Sequence, residues 1–214
     1  MRAAACALVL TMLAAAASAQ SVSFNGSLGS RAALLLIDGE PRTVAVGQKV
    51  QGVTLVSLSA EGAVVEIDGH RRTLQLGGSP GRVGSGAAPA GSGRQIVLAS
   101  GDGGHFTSAG SINGRATRFL VDTGATVVAL SQAEADRLGL AFRDGRRVLT
   151  QTANGTVPAN LLTLASVRIG DVEVRNVEAI VVPGQMTHVL LGNSFLTRFQ
   201  MRRENEVLTL ELRY

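Results

Sequence analysis

Phe119-Leu120-Val121-Asp122-Thr123-Gly124-Ala125-Thr126 is the stretch on which the reading of this chain turns. Three large apolar residues in succession suit a strand, and that strand runs directly into an acid. A single Asp at a strand end ordinarily serves a turn or caps a helix. Here Thr and Gly follow it, and a glycine lets the backbone pass close enough for its amide to point at the carboxylate. The other aspartates differ. Asp38 and Asp68 are each followed at once by Gly between apolar runs, the signal of a tight type I′ hairpin. Asp102, Asp136, Asp144 and Asp171 lack the preceding apolar run.

The surroundings of this stretch read as strands. Runs are expected at residues 104–112, 115–121, 147–152, 156–164, 167–169, 172–182, 188–191, 199–203 and 207–212. Asn113-Gly114 and Asn154-Gly155 supply tight turns between them. One helix is signalled by Ser131 and Glu134, spaced as a capping box, and by Gly139 just past its end. A second, short helix is expected near Asn193 or Ser194.

Asp-Thr-Gly-Ala at 122–125, the central Asn154-Gly155 hairpin and Leu190-Leu191-Gly192 occur in that order, with Gly192 70 residues after Asp122. Together they resemble the retropepsin-like aspartic proteases, over nearly all of residues 104–212. Gly104-His105-Phe106 and Asn113-Gly114 are similar to the exported bacterial branch of that clan. The resemblance implies a mainly β acid-protease barrel with one or two short helices and no cofactor. It makes Asp122, Thr123 and Gly124 the catalytic turn. Ala125 and the hairpin residues Thr152, Ala153, Asn154 and Gly155 would contact substrate, the hairpin as a flap. Thr126, Val128 and Leu190 are either pocket walls or core.

The chemistry fits those residue types. Hydrolysing a peptide bond without a metal or a covalent intermediate needs a base for the water and an acid for the carbonyl oxygen. Two carboxylates in contact supply both, because like charges that close cannot both ionise. The chain has one such motif, so the second carboxylate is expected from Asp122 of another copy, on the axis of a two-fold homodimer. The resemblance also implies that Thr123 reaches the partner loop and that residues 207–212 help form the interface. Ala125 offers no hydroxyl to stabilise the ionised acid, which implies an optimum at about pH 5–6.

Ahead of this domain (residues 95–214), a domain at residues 20–76 reads as small and all-β. Strands are expected at 32–37, 42–46, 52–58, 63–67 and 71–76. It loosely resembles a periplasmic module of secretion and pilus assembly proteins, which implies an envelope-protein partner. Residues 77–94 read as a linker: 12 of the 17 residues from Gly77 to Gly93 are Gly, Ser or Pro, leaving little to bury. Residues 1–19 read as a signal peptide. Arg2 precedes an apolar run from Ala3 to Ala17, and Ala17-Ser18-Ala19 fits the cleavage rule. The run is shorter than the ~20 residues of a membrane span, so a periplasmic or secreted protein is expected. The alternative is anchorage in the inner membrane by an uncleaved leader.

Composition narrows the classes. Of 214 residues, 45% are hydrophobic and 17% charged, which suits a packed core; 26 glycines and few aromatics suit short strands and tight turns. A net charge of +4 on scattered arginines argues against nucleic acid, which wants a basic stripe. The single cysteine, Cys6, lies in the leader, so the exported chain has no disulfide. His70, His105 and His188 lack metal-ligand spacing, and no metal is expected. Two functions remain: an endopeptidase cutting exported or membrane-attached polypeptides, or a barrel of the same fold that binds peptides without cutting them.

Overall fold

The structure is a computed structural model and describes residues 20–59, 62–76, 81–82, 93–152 and 155–213. Residues 1–19, read as a signal peptide, most of the expected linker, and Ala153 and Asn154, expected in a flap, lie outside the described residues.

The first unit holds β1 (Ser21–Leu28), β2 (Ala32–Ile37), β3 (Glu40–Ala45), β4 (Lys49–Val50), β5 (Val53–Leu58), β6 (Gly62–Ile67), β7 (His70–Gln75) and β8 (Gly81–Arg82). Two four-stranded sheets, β3-β2-β1-β8 and β4-β5-β6-β7, enclose one core. It includes Val22, Phe24, Leu35, Ile37, Leu55, Val65 and Ile67. The alternation of Ala63, Val65 and Ile67 with less buried neighbours aims one face of β6 at that core. Asp38-Gly39 and Asp68-Gly69 both take positive φ at both residues, as a type I′ turn requires.

The second unit begins with β9 (Gln95–Ala99). It continues through β10 (Thr107–Ile112), β11 (Arg115–Val121), β12 (Val128–Ser131), α1 (Gln132–Arg137), β13 (Arg146–Thr152), β14 (Gly155–Ile169) and β15 (Val172–Val182). β16 (Val189–Leu191), α2 (Asn193–Leu196), β17 (Phe199–Glu204) and β18 (Val207–Leu212) complete it. Seven strands form a sheet in the order β10-β11-β16-β12-β15-β14-β13, and β14 also pairs with β10. That extra pairing closes the sheet around a core in which Phe119, Leu130, Phe142, Val181, Leu191 and Phe195 are buried. The architecture is mainly β with two short helices, a retropepsin-like barrel.

Two expectations are corrected. The strand expected from Gly104 starts at Thr107, because Gly103 and Gly104 both have positive φ and fold residues 102–104 into a 3-10 turn. Val207–Leu212, expected at an interface, is the middle strand of β17-β18-β9. Both its edges are filled by its own chain, so it has no ladder to offer a partner. Among the described residues β17 pairs only with β18, leaving the outer edge of Phe199–Glu204 open.

The two units touch along β9. A bulge at Asn25 breaks the β1–β2 register, and the Asn25 side-chain amide donates to the Val97 carbonyl at 2.7 Å. Leu34, Val97 and Ala99 bury together at this contact. Gly26 lies against Ala99, where an added Cβ would come within 2.5 Å of the Ala99 Cβ.

Candidate active site

Asp122 leaves the end of β11 on a turn fixed from three sides. Its own amide donates to the Leu191 carbonyl at 3.2 Å, continuing the parallel pairing of β11 with β16. The Gly124 amide donates to Asp122 Oδ1 at 2.9 Å, the arrangement for which glycine suits this place. The Ala125 amide closes the turn on the Asp122 carbonyl at 3.3 Å.

Gly192 and α2 form the rear wall. The Asn193 side chain donates to the Thr123 carbonyl at 3.1 Å, and the Asn193 amide donates to the Ala125 carbonyl at 2.8 Å. Ser194 Oγ accepts from the Val128 amide at 3.0 Å and donates to the Glu178 carbonyl at 2.7 Å. A Cβ on Gly192 would press on the Val127 carbonyl and stand 2.8 Å from the Ala125 oxygen. The Leu-Leu-Gly element is thus packed against the acidic turn, which its position in the sequence does not reveal. Asn193 and Ser194 signal only a helix start in sequence, and their grip on the turn appears only in three dimensions.

Asp122 is half-buried, while Thr123 and Gly124 are exposed. Among the described residues nothing hydrogen-bonds the Thr123 hydroxyl. The remaining described aspartates stand elsewhere: Asp38 and Asp68 in hairpin turns, Asp102 and Asp144 in 3-10 turns, Asp136 on α1 paired with Arg143, and Asp171 in the turn between β14 and β15. No group of three or more His, Cys, Asp or Glu is poised for a metal among the described residues.

The hairpin of β13 and β14 carries the other expected substrate contacts. Residues 146–152 pair with 155–161, whereas β15 pairs only with 160–169, so most of the hairpin projects past the sheet. Thr152 Oγ1 donates to the Gly155 carbonyl at 2.8 Å. Val148, Thr150, Thr152 and Val157 share a half-buried face; Leu149, at 76% exposure, stands on the opposite one. Of the undecided residues, Val128 is core, Thr126 is exposed, and Leu190 is half-buried beside Leu120.

Helix α1 braces β11 from the side. Ser131 caps it by accepting from the Glu134 amide at 3.2 Å. Glu134 does not return the bond; its carboxylate takes hydrogen bonds from Thr117 on β11 and from Arg137. The Arg137 hydrogen bonds hold Glu134 below its ordinary carboxylate pKa, against the opposing effect of burial.

The second unit thus presents its acid on an Asp-Thr-Gly turn, clamped by a glycine-led helix across a closed sheet. Residues 108–198, the body of the second unit, match the family of gag-polyprotein putative aspartyl proteases, in keeping with the retropepsin-like fold of that unit. An uncharacterized protein in the cobV 5′ region of Sinorhizobium sp. is 33% identical over 151 residues, 70% of this chain and 64% of that protein. Uncharacterized protein RP867 of Rickettsia prowazekii (strain Madrid E) is 38% identical over 120 residues, 55% of this chain and 51% of the relative. The chain therefore spans between half and two thirds of these curated relatives. Among solved structures, a retropepsin-like aspartic protease from Rickettsia conorii is 35% identical, covering 55% of this chain and 90% of that one with a TM-score of 0.49.

Proposed function

We propose that the protein is an aspartic endopeptidase whose active site is completed when two copies bring their Asp122 carboxylates together on a two-fold axis. One observation carries this reading: the described residues contain a single Asp-Thr-Gly turn, built to present a carboxylate and left open at Thr123 and Gly124. Two such turns face to face make a dyad that retains one proton. The ionised carboxylate removes a proton from water, and the resulting hydroxide attacks the peptide carbonyl carbon. The protonated carboxyl gives its proton to the carbonyl oxygen. Collapse of the tetrahedral diol breaks the C–N bond, and a proton passes to the departing amine.

The open edge of β17 supports the dimer, since an unpaired strand edge is a template for a second one. Met201, one of the few exposed large hydrophobics at 45%, lies on that strand. The projecting hairpin supports a flap that closes on an extended polypeptide added as a strand. The apolar leader at residues 3–17 supports a periplasmic setting with exported or membrane-attached substrates, and residues 20–76 are the segment through which an envelope protein would dock.

Asp122→Asn tests the assignment. The variant should fold as the wild type does, by far-UV circular dichroism, and lose cleavage of a mixed peptide library by about 10²–10⁴-fold. Cleavage at the wild-type rate would remove Asp122 from the chemistry. A wild-type protein that binds peptides and cuts none would make the barrel a binding module.

A further inference from the structure

The sheet β17-β18-β9 has two outer edges, and they are treated differently. Along an antiparallel pair, rungs that exchange hydrogen bonds alternate with rungs whose backbone groups face away. The Leu212 amide donates to the Arg94 carbonyl and the Ser100 amide to the Glu206 carbonyl. The even rungs of β9 are therefore spent on β18, while Gln95, Val97 and Ala99 turn their backbone groups to the outer edge. The first unit sits on that edge. Asn25, bulged out of β1, donates from its side-chain amide to the Val97 carbonyl at 2.7 Å. Gly26 covers the next outward rung: a Cβ there would stand 2.5 Å from the Ala99 Cβ and 3.3 Å from the Ala99 nitrogen. Leu34, paired with Gly26, buries with Val97 and Ala99 to seal the contact. On the opposite edge the Arg213 amide donates to the Arg198 carbonyl, so Phe199, Met201 and Arg203 face outward on β17. Arg213 Nε takes the Phe199 carbonyl at 3.0 Å. Met201 and Arg203 have no strand beside them among the described residues.

We infer that the first unit is an assembly cap: its Asn25-Gly26 bulge closes the β9 edge, so that copies of this chain join through β17 alone and stop at a closed pair. The reasoning is one of counting. A copy with one open edge in this sheet can meet one other copy, and the pair then has no edge left to offer. A copy with two open edges pairs on both sides, and the sheet grows without closing. The cap gives the first unit a task that involves no other protein. It rests on reading β17 as the edge through which two copies pair, and it is independent of what Asp122 does.

The test uses the full chain and reads its size by sedimentation velocity over a range of concentrations. Gly26→Leu and Ala99→Leu crowd the contact from its two sides. Each should free β9, raising amide exchange at Val97 and Ala99 about tenfold or more in dilute protein. Each should also carry the chain past two copies, into assemblies that lengthen with concentration, whereas the wild type stops at two. Met201→Pro removes an outward N–H of β17 and no bond to β18. Added to either variant, it should return the largest species to two copies, now joined through β9. Aggregation of unfolded chains would ignore that proline, so large species that persist with it would overturn the cap. Amides that stay slow in both variants would overturn it too, as would a freed β9 in a protein no larger than the wild-type dimer; that last result would leave β17 as the dimer edge. A monomeric wild type whose uncapped variants pair would keep the cap and remove β17 from the dimer.

Discussion

Gly192 has no room for a side chain. Its φ of −86° is open to any residue, so the demand is purely steric: a Cβ would stand 2.6 Å from the Val127 carbonyl carbon and 2.8 Å from the Ala125 oxygen. Relief would push the acidic turn and α2 apart. Gly192→Ala should cost about 1–3 kcal/mol of stability and should lower activity further than that loss explains, since the shifted atoms belong to the Asp122 turn. A melting temperature equal to that of the wild type would show that the contact yields freely. The turn at Asp122, Thr123 and Gly124 is legible in sequence because a glycine two residues after the acid lets its amide reach the carboxylate. Asn193 and Ser194 are not, because their hydrogen bonds to residues 123, 125, 126 and 128 bridge some 70 positions with ordinary helix-start residues.

Among the elements, α1 couples stability to pH. Glu134 ties the helix to β11 through Thr117 and is ionised below its usual range through Arg137. A carboxylate with a depressed folded pKa adds stability above its unfolded pKa and loses it as pH falls through the folded one. Glu134→Gln should therefore be less stable than the wild type at pH 7. The gap should close once the pH drops below the ordinary value of 4.5 and past the lowered one. Chemical denaturation across that range reads it, and a gap constant with pH would deny the ion pair its part. At about pH 5–6 this pair stays ionised.

Hairpins with Asp-Gly or Asn-Gly turns are the elements most readable from the sequence, since type I′ geometry calls for those residues. Of the strands that escape such a reading, β1, β9 and β12 show why. In β1 the Asn25-Gly26 pair looks like a turn and is a bulge that grips β9. β9 follows directly on glycine-rich chain, and β12 is four fully buried residues without alternation. β9 and β12 owe their places to partners distant in sequence, which local pattern does not encode.

For the whole molecule, the three-stranded sheet bears on the proposed dimer. Among the described residues β18 is enclosed, β9 is engaged by Asn25 of the first unit, and β17 is open. A homodimer that pairs β17 with its symmetry mate extends the sheet and places exposed Met201 at the joint. Met201→Glu should weaken self-association about tenfold or more by sedimentation, because each charge would be buried against its copy; activity should fall in step at low protein concentration. An unchanged dimer would move the interface away from β17.

The shared dyad is tested most directly by refolding wild-type and Asp122→Asn chains together in known ratios and measuring total peptide cleavage. If both acids come from identical partners, only dimers of two wild-type chains cut, and an equal mixture retains about a quarter of the activity of the same total amount of wild type. Retention of half, with activity tracking the wild-type fraction in a straight line although mixed dimers are present, would contradict it.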